Sequence, residues 1–143
     1  MREISAGGVV YRNQDGTILL LMIQDRFGAI TLAKGKQEAG ETLEETAIRE
    51  IEEETAVKGE IKQLLEVIHY TYKHPSTGET VEKEVHYYLV QALSDQLAAQ
   101  VEEINHVQWM TAGEAWDMHE KAGYDNNRSV LAKALNALGI QPA

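Results

Sequence analysis

The chain has 143 residues, 43% hydrophobic and 25% charged, which suits one globular domain with a single core and excludes a disordered chain. It has no cysteine, so disulfide frameworks and thiolate metal sites are excluded. The formal net charge of −10 removes the basic face that nucleic-acid binding needs, and it opposes a polyphosphate ligand unless bound divalent cations invert the sign of a carboxylate cluster.

The N-terminal MREISAGG lacks the basic start and apolar core of a secretory signal. The longest apolar run, near Ile18–Ile23, is too short to span a bilayer, so a soluble cytoplasmic protein is the default expectation. Ile4–Arg12 is β-rich, and its Gly7-Gly8 pair marks a bulge or a close backbone approach. The turn signal Asn13-Gln14-Asp15-Gly16 leads into a buried-looking strand, Thr17–Gln24. Ala29–Leu32 is a short strand, and Ala33–Gly40 reads as a loop. Thr42 to Thr55 reads as a helix. Ile61–Tyr72 and Val81–Leu93 are long strands, joined by a hairpin through His74–Gly78. Val101–Met110 is another strand, Thr111 caps a helix running to Glu120, and Asn127–Leu138 has a helical period. Strands on both sides of one helix, with helices at the end, predict a mixed sheet covered by helices.

The segment GETLEETAIREIEEET, Gly40 to Thr55, carries the functional signal. Thr42 and Glu45 form a capping box. Leu43, Ala47 and Ile51 fall on one stripe, with Ile48 at its edge, and that stripe faces the core. Glu50, Glu53 and Glu54 share an arc beside it, while Glu45, Arg49 and Glu52 point more nearly outward. A solvated acidic face is the ordinary meaning of such a run. Here, however, like charges three and four residues apart repel without an interleaved lysine, and the macrodipole disfavours Glu53 and Glu54 near the C-terminus. A divalent cation relieves both penalties, and Mg²⁺ takes a few carboxylates, waters and phosphate oxygens. Lys34-Gly35-Lys36, one loop away, is a basic turn whose glycine permits a close backbone approach, or else a surface turn with two solvated lysines.

From Gly35 through Glu41, Arg49-Glu50-Ile51, Glu53-Glu54 and Ala56-Val57, the spacing resembles the Nudix box. Every specified position agrees except Ala56, where the family usually has glycine; alanine in a left-handed cap costs about 1 kcal/mol unless the helix end adjusts. SAGGVV near the start, the long hairpin, and Val107-Gln108-Trp109 before a helix are also similar to that family. The resemblance implies one domain over residues 1–143 with an α/β/α sandwich and a mixed β-sheet. It implies that Glu50, Glu53 and Glu54 bind metal, Mg²⁺ or alternatively Mn²⁺, with a backbone contact from Gly35. It also implies that Glu41 pairs with Arg49 to hold the helix against the loop. A further carboxylate from a later loop is expected at Glu103, with Glu102 as the alternative.

By this resemblance the protein is a hydrolase of nucleoside diphosphate linkages, in which water attacks phosphorus. Glu53 is the leading proton acceptor, with Glu50 and Glu103 as alternates, and Lys34 and Lys36 stabilise phosphate oxygens. Tyr70 and Tyr72 share one strand face and are placed either to stack on a base or to pack at a sheet edge. Lys83 to Leu89 and Tyr124 to Arg128 resemble the diadenosine-polyphosphate hydrolase branch. There His86 and Arg128 either reach phosphate or serve as a structural histidine and a helix-start ion pair. A dinucleoside polyphosphate is therefore the expected substrate, with ADP-sugars and oxidised nucleoside triphosphates as rivals. A nucleotide-binding regulator that cuts nothing is the reading from another class. Neither nucleic acid nor membrane is an expected partner, and the oligomeric state is open between monomer and homodimer.

Overall fold

A computed structural model describes residues 1–100, 102 and 104–141. Its strands are β1 (Arg2–Gln14), β2 (Thr17–Asp25), β3 (Ile30–Thr31), β4 (Ala33–Lys36), β5 (Gly59–Lys73), β6 (Thr80–Ala92) and β7 (Ile104–Thr111). Its helices are α1 (Leu43–Thr55), α2 (Ala112–Ala122) and α3 (Asp125–Ala137). The sheet runs β3-β2-β1-β6-β5, with β4 also paired to β1 and β7 to β2. The β1–β6 pair is parallel, from Arg2 opposite Glu82 to Tyr11 opposite Gln91, and the other pairs are antiparallel, so the sheet is mixed.

One edge of β1 is shared between two partners. Residues Ser5–Gly8 pair with β4, while Tyr11–Gln14 pair with β2. The sheet opens where β1 passes from one partner to the other. Gly7 makes this possible: a Cβ there would lie 1.9 Å from the Ala33 carbonyl oxygen. Of the two meanings the sequence allowed the glycine pair, the close approach is the one observed. The expected loop over Ala33–Gly40 is corrected accordingly, because its first four residues are β4. A strand this short carries no readable period, and its partner lies far upstream in the chain.

Strand alternation sends two sets of side chains to opposite faces. Val9, Leu20, Met22, Val85, Tyr87 and Leu89 pack beneath Trp116 of α2 and Val130, Leu131 and Leu135 of α3. Ala6, Val10, Leu21, Ile23 and Val90 pack against Ala47 and Ile51 of α1, the stripe expected from the helical wheel. The result is an α/β/α sandwich, with α1 alone on one side. Among the described residues no helix is long and apolar enough to cross a membrane.

Both expected helix caps form. Thr42 and Glu45 make a reciprocal capping box at α1, and Thr111 and Glu114 make another at α2. The C-terminus of α1 ends on Ala56 in the left-handed region, φ 71°, with its N–H donating to the Glu52 carbonyl at 2.9 Å. The alanine therefore adopts the glycine-type cap instead of reshaping the helix end.

Candidate active site

Arg49 gathers the carboxylates of α1 and of the preceding loop. Its Nε and Nη2 donate to the two oxygens of Glu41 at 2.6 and 3.0 Å, a bidentate pair. Nη1 donates to Glu50 at 2.8 Å and to Glu53 at 3.2 Å, and Nη2 also reaches the Lys36 carbonyl at 3.0 Å. Glu41 further accepts from the Glu38 N–H and the Thr46 hydroxyl, both at 2.9 Å. These bonds hold the Glu41 carboxyl down to about 2, chiefly through Arg49, and raise the already high pKa of the guanidinium. The loop from Lys36 to Glu41 is thereby fixed to the helix. The helical wheel put Arg49 outside the glutamate arc; the length of its side chain brings it back to Glu50 and Glu53.

Glu54 has a different environment. Burial pushes its carboxyl up to about 8, the negative charge of Glu50 adds to the shift, and the Lys34 N–H, donating at 3.2 Å, opposes it. Gly35 lies against Glu50: a Cβ at that position would be 2.0 Å from the Glu50 carboxyl carbon. Two crowded carboxylates, one largely desolvated, beside bare backbone form a hard oxygen donor set that fits a divalent cation such as Mg²⁺. Among the described residues no three ligating side chains are already gathered into a metal-binding group. Glu53 projects instead into an outer groove with Glu44, Glu45, Ile48 and Gln100.

A cleft of about 370 Å³ opens beside Glu54, lined by Lys34, Tyr70, Asp25, Tyr124, Asn126 and Asn127 among others. It lies at the opening between β4 and β2, so a carboxylate of α1 meets side chains of α3 from across the sheet. Lys34 is largely buried, and desolvation lowers its pKa, helped by Lys83. Lys36 and Lys83 join it on the same side through Glu3, at 3.1 and 3.4 Å. Tyr72 donates to Glu3 at 2.8 Å, whereas Tyr70 lines the cleft and packs on the core.

Two sequence candidates stand elsewhere. His86 lies 2.5 Å from Glu84, which Arg2 also engages at 2.6 Å. Its neighbours in alternation, Glu84 and Tyr88, place it on the α1 side of the sheet; Tyr88 donates to Glu44 of α1 at 3.3 Å. Arg128 donates to Glu120 at 2.7 Å and covers the Trp116 ring at 5.1 Å, so it ties α3 to α2 as an ion pair at the helix start. Glu103 lies outside the described residues; its alternative, Glu102, is an exposed turn residue. The expected strand from Val101 begins at Ile104 among the described residues.

Asn127, which had no role of its own in the sequence, is buried, accepts from Tyr87 at 3.2 Å and donates to Thr31 at 3.0 Å. The hydrogen bond that Tyr124 donates to Asp25 was likewise not legible in the sequence. The resemblance of Tyr124 to Arg128 to the diadenosine-polyphosphate hydrolase branch was the local sign of both.

A family model for the NUDIX domain matches residues 1–134. The chain belongs to the Nudix family. A candidate mutator protein of Mycobacterium tuberculosis, MutT4, is 38% identical over 117 residues, 77% of this chain and 46% of that protein. The chain therefore spans about half the length of that curated relative. A Caenorhabditis elegans Ap4A hydrolase in a binary complex is structurally similar, with TM-score 0.68 and 26% identity over 96% of this chain and 98% of the other. The NUDIX domain of Shewanella oneidensis NrtR, solved with ADP ribose, superimposes with TM-score 0.75 at 19% identity, covering 96% of this chain and 89% of that one, a likeness of fold alone. Nudix hydrolases generally use divalent metal ions, in keeping with the donor set at Glu50, Glu54 and Gly35.

Proposed function

We propose that the protein is a Mg²⁺-dependent hydrolase that cuts a diphosphate linkage in a nucleotide-type substrate, with a dinucleoside polyphosphate as the preferred class. The observation that carries this reading is the meeting of a Nudix carboxylate with a lysine at one cleft: Glu54 and Lys34 line the same space. Family membership and likeness to hydrolases support a reaction on pyrophosphate bonds. A bound divalent cation supplies charge neutralisation at phosphate oxygens and acidifies a water. Glu50, Glu53 and Glu54 are its proposed ligands, with Gly35 alongside and Glu103 as a further candidate.

The remaining work falls to the chain's own groups. Lys34 holds a phosphate oxygen from within the cleft, and Lys36 and Lys83, which lie outside its lining, hold more distant phosphates. Tyr70 offers its ring face to a base. A glutamate takes the proton of the attacking water. Sequence favours Glu53 for this role, but of the three box glutamates Glu54 is the one that lines the cleft, so the geometry favours Glu54. Arg49 and Glu41 act by holding helix and loop together. Cytoplasmic location is part of the same proposal.

The decisive experiment is turnover by the purified protein with Mg²⁺, or Mn²⁺ in its place. Diadenosine tri-, tetra-, penta- and hexaphosphate are compared with ADP-ribose and 8-oxo-dGTP, and products are resolved by chromatography. Carrying out the reaction in ¹⁸O-water identifies the phosphorus attacked. A preference above about tenfold in kcat/KM for ADP-ribose or 8-oxo-dGTP, ~1.4 kcal/mol of transition-state discrimination, overturns the substrate class. Binding without any cleavage favours the regulator reading.

A further inference from the structure

Glu3 belongs to no motif, yet it sits among the cations beside the cleft. The sheet puts it there: Glu3 lies opposite Lys83 in the parallel β1–β6 register, and on the same strand Ser5 lies opposite Lys36 and Gly7 opposite Lys34. Residues 3, 5 and 7 share one face of β1. The Glu3 side chain is only 11% exposed. One carboxylate oxygen accepts from the Tyr72 hydroxyl at 2.8 Å and from Lys83 at 3.4 Å, while the other is 3.1 Å from the Lys36 ammonium. Lys34 and Tyr70, which line the cleft, both feel its charge. The Tyr72 hydrogen bond and the two lysines hold the carboxyl at about 2, so it is an anion throughout the neutral range.

We propose that Glu3 is the counter-ion that occupies Lys36 and Lys83 until distal phosphates of a substrate take its place, and that it thereby sets the length of phosphate chain the cleft accepts. The inference rests on the reading of the cleft as a phosphate site. Glu3 touches no reacting atom; it is a positioning residue acting through the two lysines. A short chain reaches Lys34 and leaves the Glu3 pairs intact. A longer chain gains Lys36 and Lys83 only by competing with a carboxylate already bound to them. Lys36 exchanges first, since its side chain is 67% exposed against 10% for Lys83.

The test is calorimetric titration of inorganic pyrophosphate, tripolyphosphate and tetrapolyphosphate into the wild-type protein and Glu3→Gln at fixed Mg²⁺. The amide keeps the shape of the side chain and its ability to accept from Tyr72 while removing the charge. Tetrapolyphosphate is expected to bind about tenfold more tightly to the variant and pyrophosphate within about twofold of wild type, where tenfold corresponds to ~1.4 kcal/mol. The salt dependence of tetrapolyphosphate binding should steepen as well, because two cations no longer carry a built-in partner. Equal shifts for all three probes, or none, overturn the proposal. If Glu3→Gln does not fold, Lys36→Met at the exposed partner serves instead. It should weaken tetrapolyphosphate and spare pyrophosphate, and a uniform loss counts against the proposal. Binding is read without turnover, so the two readings fail separately. Chain-length selection without nucleotide cleavage removes the hydrolase, and cleavage without a chain-length shift removes the role of Glu3.

Discussion

A single guanidinium, that of Arg49, lies within salt-bridge distance of Glu38, Glu41, Glu50 and Glu53. Its replacement leaves two mostly buried carboxylates, Glu41 and Glu50, without their counter-charge. Arg49→Ala should lower stability by about 1–3 kcal/mol, less than a fully buried pair because the side chain is partly solvated, and should reduce turnover as well. Urea denaturation beside steady-state kinetics measures both. An unchanged midpoint with a selective rise in KM would mean that Arg49 contacts substrate. For the carboxylates themselves, Glu53→Gln and Glu54→Gln should each lower turnover by at least ~100-fold and shrink the thermal stabilisation given by Mg²⁺. Near-wild-type activity in both variants removes the active-site assignment, and a much smaller loss in Glu53→Gln than in Glu54→Gln places proton transfer at Glu54.

At the scale of elements, α1 was legible because everything that defines it is local. The capping box, the apolar stripe and the glutamate spacing all lie within four turns of chain, where period and propensity operate. The strand β4 was not legible, since its four residues become a strand only by meeting β1. The same holds for Lys36 and Lys83: nothing near either in sequence announces that Glu3 joins them. The end of α1 allows a direct measurement. Ala56 sits at φ 71°, where a Cβ costs about 1–2 kcal/mol, while glycine would cost about 0.4–1 kcal/mol through the freer unfolded chain. Ala56→Gly should therefore raise stability by up to about 1.6 kcal/mol, read as a higher denaturation midpoint at unchanged m-value. A lower midpoint would show that the alanine methyl group makes packing contacts that outweigh the strain.

For the whole molecule, acid stability follows from where the anions are held. Glu3 and Glu41 both have carboxyls held near 2 in the folded protein, well below their ordinary value, so each favours the fold when ionised. That contribution is complete above the unfolded-state pKa of about 4.3 and is lost as pH falls toward 2. Thermal midpoints should decline over that window, and Glu3→Gln should decline less steeply than wild type because one of the groups that titrate there is gone. Equal slopes would assign the acid sensitivity to other carboxylates.

The divided edge of β1 also bears on time. Its parallel pairing joins Arg2 to Glu82, and its two antiparallel partners, β2 and β4, are separated by a turn and by β3. A pairing as distant as that of β1 with β6 closes a large loop before it returns any contact energy, which makes folding slow. The cleft exists only once β1 has met β6, β4 and β2 together, so it is among the last features to form. In stopped-flow refolding, helical ellipticity should recover ahead of Mg²⁺-dependent stabilisation. On a ribosome, where β6 emerges long after β1, α1 with its glutamates is exposed and incomplete until more than half of the chain has been made.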